Sequence, residues 1–366
     1  MHIVQILPAL NQGGVERGTV ELSRELVQLG HRSTVIASGG KLAEQIIADG
    51  GKLITMDVRS KNPISALLRV SQLRTILRGL NPTVVHYRSR VPGWLFVMAN
   101  RSLKLPCVST VHGFNSVNAY SRVMTFGERV ICPGSGVVEY IRQHYGVPEW
   151  KIRLIPRGVD PTHFDPQRID HNFIREFQQR HGLQGAYVVL GVGRITPLKG
   201  YDVLIRAVAK AWERVPQIKC VIVGSVDPSR VAYANSLRQL VRELRVEEQV
   251  IFAGGESRMA EIYALGDVLT SNNAAKPEAF GRTMAEALAM NTLVVASRFG
   301  GALDIVREGE NGRLYEPGNV QALAEILAEL PHIKFNGLRE DALRCFGLQQ
   351  MVEKTVAVYG ELAGAT

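Results

Sequence analysis

The sequence predicts an α/β protein made of two doubly wound parallel-sheet domains, and three observations carry that reading. A chain of 366 residues exceeds one ordinary core and fits two. Short apolar runs alternate with amphipathic stretches throughout, the pattern of strand and crossover helix. Near the middle the alternation breaks at Pro156-Arg157-Gly158-Val159-Asp160 and Phe164-Asp165-Pro166, a turn-rich join. The expected domains are residues 1–165 and 166–345, with a last helical segment, 346–366, packing back on the first.

In order, the first half offers strand-like runs at 3–7, 33–37, 52–56, 84–87, 108–111, 130–132 and 152–155, with helical stretches at 15–29, 64–80, 93–103 and 136–144. A polar connecting helix, 169–181, leads to a second series with strands at 188–192, 221–223, 250–252, 268–271 and 293–296. Helices are expected at 284–290 and 351–362. In such sheets ligands bind beyond the carboxyl ends of the strands, so the loops that follow strands are where chemistry belongs.

Composition narrows the function classes. Hydrophobic residues make up 46% and charged residues 21%, as in a globular protein in water, and no apolar run approaches the ~18 residues of a membrane span. The N-terminal MHIVQILPAL lacks a basic region and is broken by Gln5 and Pro8, so it reads as a first strand rather than a secretory signal, and a cytoplasmic location is expected. Cys107, Cys132, Cys220 and Cys345 are scattered, as reduced structural thiols are.

The net charge of +9 is uneven: residues 1–160 hold 20 Lys and Arg against 10 Asp and Glu, and the remainder is near neutral. No nucleic-acid motif accompanies this basicity, so nucleic acid is not the expected partner, although a basic nucleic-acid binder is the alternative from another class. An anionic membrane surface or a phosphorylated acceptor fits as well. Residues 64–80, with Arg69, Arg74 and Arg78 among leucines, and 94–98, before Arg101 and Lys104, suit either helices that cover a sheet or interfacial helices on a membrane's inner face.

The stretch richest in chemistry is 271–297. Glu278 and Glu286 would sit about 80° apart on one helix, from eight steps of about 100°. Pro277 and Gly281 instead leave Glu278 in the loop before it. The free amides around Phe280, Gly281, Arg282 and Thr283 then form a helix N-terminus suited to an anion, and the two carboxylates suit hydroxyls, the two features of a nucleotide sugar. After the strand 188–192, Gly193-Arg194-Ile195-Thr196-Pro197-Leu198-Lys199-Gly200 places two cations five residues apart on one loop, able to converge on a diphosphate. After the first strand, Asn11-Gln12-Gly13-Gly14-Val15-Glu16-Arg17 either lets the backbone approach a ligand or is a plain strand-to-helix turn. His86 and His112 each either donate to a ligand hydroxyl or are satisfied by backbone.

Pro-Glu-x-Phe-Gly at 277–281, Glu286-Ala-Leu-Ala, Gly300-Gly301 and Glu310-Asn311-Gly312 together resemble the E-x7-E signature of retaining glycosyltransferases of family 4, which have the GT-B fold of two Rossmann-like domains facing across a cleft. The resemblance covers almost the whole chain, which is similar to transferases of the lipopolysaccharide core. The resemblance implies transfer of a sugar from a nucleoside-diphosphate donor, UDP-linked by preference and GDP-mannose as the second choice, to a lipid-linked or cell-envelope glycan. It implies donor contacts from Gly13, Gly14, Gly254, Arg258, Phe280, Gly281, Arg282, Thr283 and Glu286. It further implies catalytic roles for Arg194, Lys199, Glu278 and His112, and acceptor contacts from Arg88 and Arg90. The 193–200 loop with its Arg and Lys resembles the family loop whose cations neutralise the leaving nucleotide, and domain closure would exclude water.

Asp-x-Asp, the usual carboxylate pair for a metal-bridged diphosphate, is absent from the chain, so no metal or other cofactor is expected. A nucleotide-sugar 2-epimerase on the same fold is the nearest alternative. Two departures from the family pattern stand out. Arg157 replaces a common Asn and has no role readable from sequence. Asn291 replaces Gly, and Asn tolerates the left-handed cap required there.

Overall fold

A computed structural model describes residues 1–11 and 13–364 and divides them into two compact units, Met1–Gly158 with the segment from Leu348 onward, and Val159–Gly347. The first holds seven strands, β1 (His2–Ile6), β2 (Arg32–Ala37), β3 (Lys52–Thr55), β4 (Val84–Tyr87), β5 (Cys107–Thr110), β6 (Arg129–Cys132) and β7 (Ile152–Leu154). They pair in parallel in the order β3-β2-β1-β4-β5-β6-β7. The second holds β8 (Tyr187–Val192), β9 (Ile218–Val223), β10 (Val250–Gly254), β11 (Val268–Ser271), β12 (Leu293–Ser297) and β13 (Gly312–Tyr315), parallel in the order β10-β9-β8-β11-β12-β13.

Strands buried on both faces explain the near-continuous apolar runs, since helices cover each side of a parallel sheet. β1 and β12 are buried along their whole length. In each sheet the strand order reverses once, between β1 and β4 and between β8 and β11. At such a reversal the loops diverge to opposite faces and open a crevice beyond the carboxyl ends.

The units divide at 158/159 and 347/348 rather than at 165/166 and 345/346. Val159 and Phe164 are fully buried in the second unit's core, and the Val159 amide donates to Phe346 O at 2.8 Å. From Val159 onward the join is therefore packed second-unit structure, despite its turn composition. The helix Leu348–Ala363 belongs to the first unit, where Val352, Val358 and Tyr359 pack with Ile3, Val84 and Val108.

Caps set helix limits that periodicity leaves loose. Asn62 accepts from the Ile64 amide ahead of Pro63, and Asp170 accepts from Asn172 and Phe173, so the connecting helix starts at His171 rather than at 169. Asn291 takes φ 61, the left-handed cap expected of it. In the helix Arg90–Asn100, Leu95 and Phe96 face the core, as a sheet-covering helix requires. Arg69, expected on the basic flank of an interfacial helix, is instead buried, and its guanidinium donates to the carbonyls of Ser60, Asn62 and Ser65. Ile64, Leu67 and Leu68 of the same helix are exposed. Among the described residues no helix is long and apolar enough to cross a membrane. The four cysteines are free thiols, and burial pushes Cys107 up to about 11 and Cys132 to about 12.

Candidate active site

In the second unit the loops after β8 and β11 lock together. The Gly193 amide donates to Val223 O and the Ile195 amide to Ser225 O, both at 3.0 Å, which leans the first loop on its neighbour. Gly200 closes the turn Pro197–Lys199 with φ 59, and a Cβ there would lie 2.0 Å from Asn272 O, so only glycine lets the two loops touch. Lys199 thereby reaches Glu278, with Nζ donating to Oε1 at 3.0 Å. Arg194 stands exposed on the same loop, its charge felt by Asp227.

Glu278 lies in the loop before the helix Arg282–Ala289. Its carbonyl accepts from the Gly301 amide at 2.7 Å, which pins the loop to the Gly300-Gly301 turn. Its Oε2 is buried and finds no hydrogen-bond partner among the described residues. A carboxylate oxygen withdrawn from water without a donor costs free energy, and a ligand hydroxyl would satisfy it. Phe280 is buried edge-on to Phe346, and Gly281, at φ 95, caps the helix. Helix geometry points the first amides of this helix, those of Arg282 and Thr283, out of its N-terminal end.

Two donor-site expectations meet a different environment. Glu286 is 5% exposed, and its carboxylate accepts from Arg282 Nε at 2.7 Å and from the Tyr263 hydroxyl at 2.9 Å. An ionised carboxylate can accept about four hydrogen bonds, so these two leave lone pairs to spare. Arg258 pairs with Asp170 (3.1 Å) and Glu261 (2.6 Å) and lies 4.5 Å over the Phe173 ring. Its guanidinium therefore bridges the helices His171–His181 and Met259–Leu265 instead of standing open to a base. Gly254, at φ 81, accepts from the Gly224 amide at 2.7 Å and so flanks the Gly193 loop through backbone alone.

In the first unit the corresponding rim carries Arg88 after β4, His112 after β5 and Arg157 after β7. With Glu16 and Arg90, the first two line a cavity of about 330 Å³. Gly13 precedes the helix Gly14–Gln28 in extended conformation, and the Glu16 carboxylate folds over it so closely that a Cβ would lie 2.3 Å from Oε2. Gly14 has open space at its Cβ position, and its carbonyl accepts from Arg157 Nη1 at 3.4 Å. Gln12 of the same turn lies outside the described residues. Arg90 donates to Ser121 Oγ at 3.3 Å and sits 5.5 Å over the Tyr120 ring.

The structure separates the two histidines. His86 is buried with both ring nitrogens satisfied, Nδ1 by the Tyr359 hydroxyl and Nε2 by Thr110 Oγ1, each at 2.7 Å. His112 has Arg157 Nη2 at 2.6 Å from Nδ1, while its buried Nε2 meets no partner among the described residues. Burial, aided by Arg88 and Arg157, holds both imidazoles well below their ordinary value near 6.5. Arg88 is buried beside Tyr359, with its Nε unpartnered among the described residues. Sequence reasoning gave Arg157 no role. Its place after β7, two strands from β5 and so about 10 Å away, was the available signal, because an arginine spans that distance.

Two parallel sheets of this order in one chain are the GT-B fold. Residues 12–163 match Glycosyltransferase Family 4 and residues 173–342 match Glycosyl transferases group 1. The chain belongs to the glycosyltransferases, of family 4 in its first part and group 1 in its second. A glycosyltransferase structure from Rickettsia africae is 29% identical, with TM-score 0.90 over 99% of this chain and 98% of its own. A GDP-mannose-dependent alpha-(1-6)-phosphatidylinositol monomannoside mannosyltransferase of Mycolicibacterium smegmatis is 26% identical over 87% of this chain and 86% of its own. Anabaena HepE, solved with UDP and glucose, shares the fold at 21% identity, with TM-score 0.83 over 98% of this chain and 99% of its own.

Proposed function

We propose that the chain transfers a hexosyl group from a nucleoside-diphosphate sugar to an anionic, lipid-linked or cell-envelope acceptor, with retention of anomeric configuration and without a metal ion. The carrying observation is the Lys199–Glu278 contact: a cation for phosphate and a carboxylate for sugar hydroxyls stand 3.0 Å apart at the strand-order reversal of the second unit.

In this reading the acceptor hydroxyl attacks the anomeric carbon on the face from which the diphosphate leaves. The bond from that carbon to the phosphate oxygen breaks, and the acceptor's proton passes to the departing phosphate. Negative charge grows on the diphosphate as the bond breaks, and Arg194, Lys199 and the amides of Arg282 and Thr283 are fixed partners for it. Glu278 orients the sugar, and Glu286 accepts from the ribose hydroxyls on its remaining lone pairs. A 2′-deoxy donor then loses affinity for the native chain but not for Glu286→Gln.

UDP is the favoured nucleotide carrier, since HepE binds UDP, and GDP-mannose is the second choice, since the mycobacterial relative depends on it. Arg88 and Arg90 suit a phosphate or carboxylate on the acceptor, and a lipopolysaccharide core carries such groups. Location at the inner face of the plasma membrane, held by the exposed Ile64, Leu67 and Leu68, belongs to the same proposal. Thermal-shift screening against UDP-, GDP- and ADP-sugars tests the donor, and silence with all three would overturn the reading. EDTA leaves transfer intact if protein cations do the work. Mass spectrometry of donor incubated alone separates transfer from 2-epimerisation, and salt-sensitive retention on DNA or RNA would favour the nucleic-acid alternative.

A further inference from the structure

We infer that Arg157 is a positioning residue that makes His112 an obligate hydrogen-bond donor to an oxygen of the substrate. The inference takes its substrate from the glycosyl-transfer reading, whereas its geometry stands independently.

Arg157 Nη2 lies 2.6 Å from His112 Nδ1. A guanidinium only donates and keeps its protons at any physiological pH. Nδ1 must therefore accept, which puts the single proton of a neutral imidazole on Nε2. That Nε2–H is buried and meets no acceptor among the described residues. A donor removed from water and left unpaired is unfavourable, so the position makes physical sense when a substrate oxygen supplies the lone pair.

His86, one strand away, has both ring nitrogens satisfied internally, Nδ1 by the Tyr359 hydroxyl and Nε2 by Thr110 Oγ1. Of the two imidazoles, only His112 keeps a proton for an outside partner.

The charged and titratable groups around His112 agree. Arg157 comes from the loop after β7, Arg88 and His86 from β4 and its end, and Arg90 from the helix Arg90–Asn100. Glu16, at the start of the helix Gly14–Gln28, shares the cavity but turns its carboxylate over Gly13. A carboxylate on Nδ1 would favour the imidazolium and allow proton exchange. A guanidinium there opposes protonation and fixes the tautomer, so His112 donates without acting as general base.

The test is ¹⁵N NMR of histidine-labelled protein with no ligand present, together with kinetics. The expected spectrum puts the His112 proton on Nε2, with Nδ1 unprotonated and unchanged between pH 8 and 6. Arg157→Met should release the tautomer and lower kcat/KM about 10–100-fold with UDP-glucose or GDP-mannose, whichever the wild type uses. An acidic limb should also enter its pH–rate profile. Arg157→Lys, another pure donor, should restore most of the loss. His112→Gln, whose amide can stand in for Nε2–H, should retain more activity than His112→Asn. A wild-type proton on Nδ1, an imidazolium at pH 7, or an unchanged tautomer and pH profile in Arg157→Met would each overturn the inference. Should the spectrum come out as expected while neither donor supports transfer, the proposed function fails and the tautomer assignment stands.

Discussion

Lys199 and Glu278 are 79 residues apart in sequence and share one hydrogen bond. If Lys199 and Arg194 stabilise the departing diphosphate, Arg194→Ala and Lys199→Ala each lower kcat by about 10²–10³, equivalent to about 3–4 kcal/mol in the barrier. Arg194 is exposed, so its variant should melt as the native chain does, and full turnover in both variants would remove the leaving-group account. Glu278 was legible as a loop carboxylate because Pro277 and Gly281 punctuate the chain around it. The burial of Glu286 was not legible. Its partner Tyr263 comes from another helix, and the pairing with Arg282 at i,i+4 becomes a buried contact only because that face turns inward. For the same reason Tyr263→Phe, which strips one donor from a buried carboxylate, should destabilise by about 1–3 kcal/mol in a denaturant titration.

Elements read clearly from sequence wherever both faces of a strand are buried, and less clearly at the edges. β13 escaped because Gly312-Arg313-Leu314-Tyr315 is short, starts with glycine and lies at the rim of its sheet, where half-buried residues blur the apolar run. The turn at Gly200 is an element-scale constraint that only the neighbouring loop imposes. Gly200→Ala meets both a left-handed backbone, worth about 1–2 kcal/mol, and Asn272 O at 2.0 Å, so a clear drop in Tm and in donor affinity is expected. On the helix Pro63–Leu80, the exposed Ile64, Leu67 and Leu68 are the apolar surface an interfacial contact would use. Replacing all three by Ser should abolish flotation with anionic liposomes without changing Tm, and a native chain that fails to float would end the membrane proposal.

At the scale of the whole molecule, two buried neutral histidines tie stability to pH. His86 and His112 are held below 6.5 in the fold, so below that pH the unfolded chain binds more protons than the native one. Stability is then complete above about pH 7 and falls as pH drops through 6, by up to about 1.4 kcal/mol per pH unit for each histidine. Melting curves from pH 8 to 5 check this, and His86→Gln should flatten the decline. A constant Tm over that range would show that these imidazoles are not held neutral.

Local rules were enough for the two-domain α/β plan, the loops that follow the strands' carboxyl ends and the place of Glu278 ahead of its helix, because periodicity and turn chemistry act within a few residues. Tertiary structure decided that Val159 and Phe164 belong to the second core, that Arg258 bridges two helices, and that Arg157 meets His112 across 45 residues of sequence. These contacts depend on strand order, which brings distant loops to one sheet edge at separations that no stretch of sequence records.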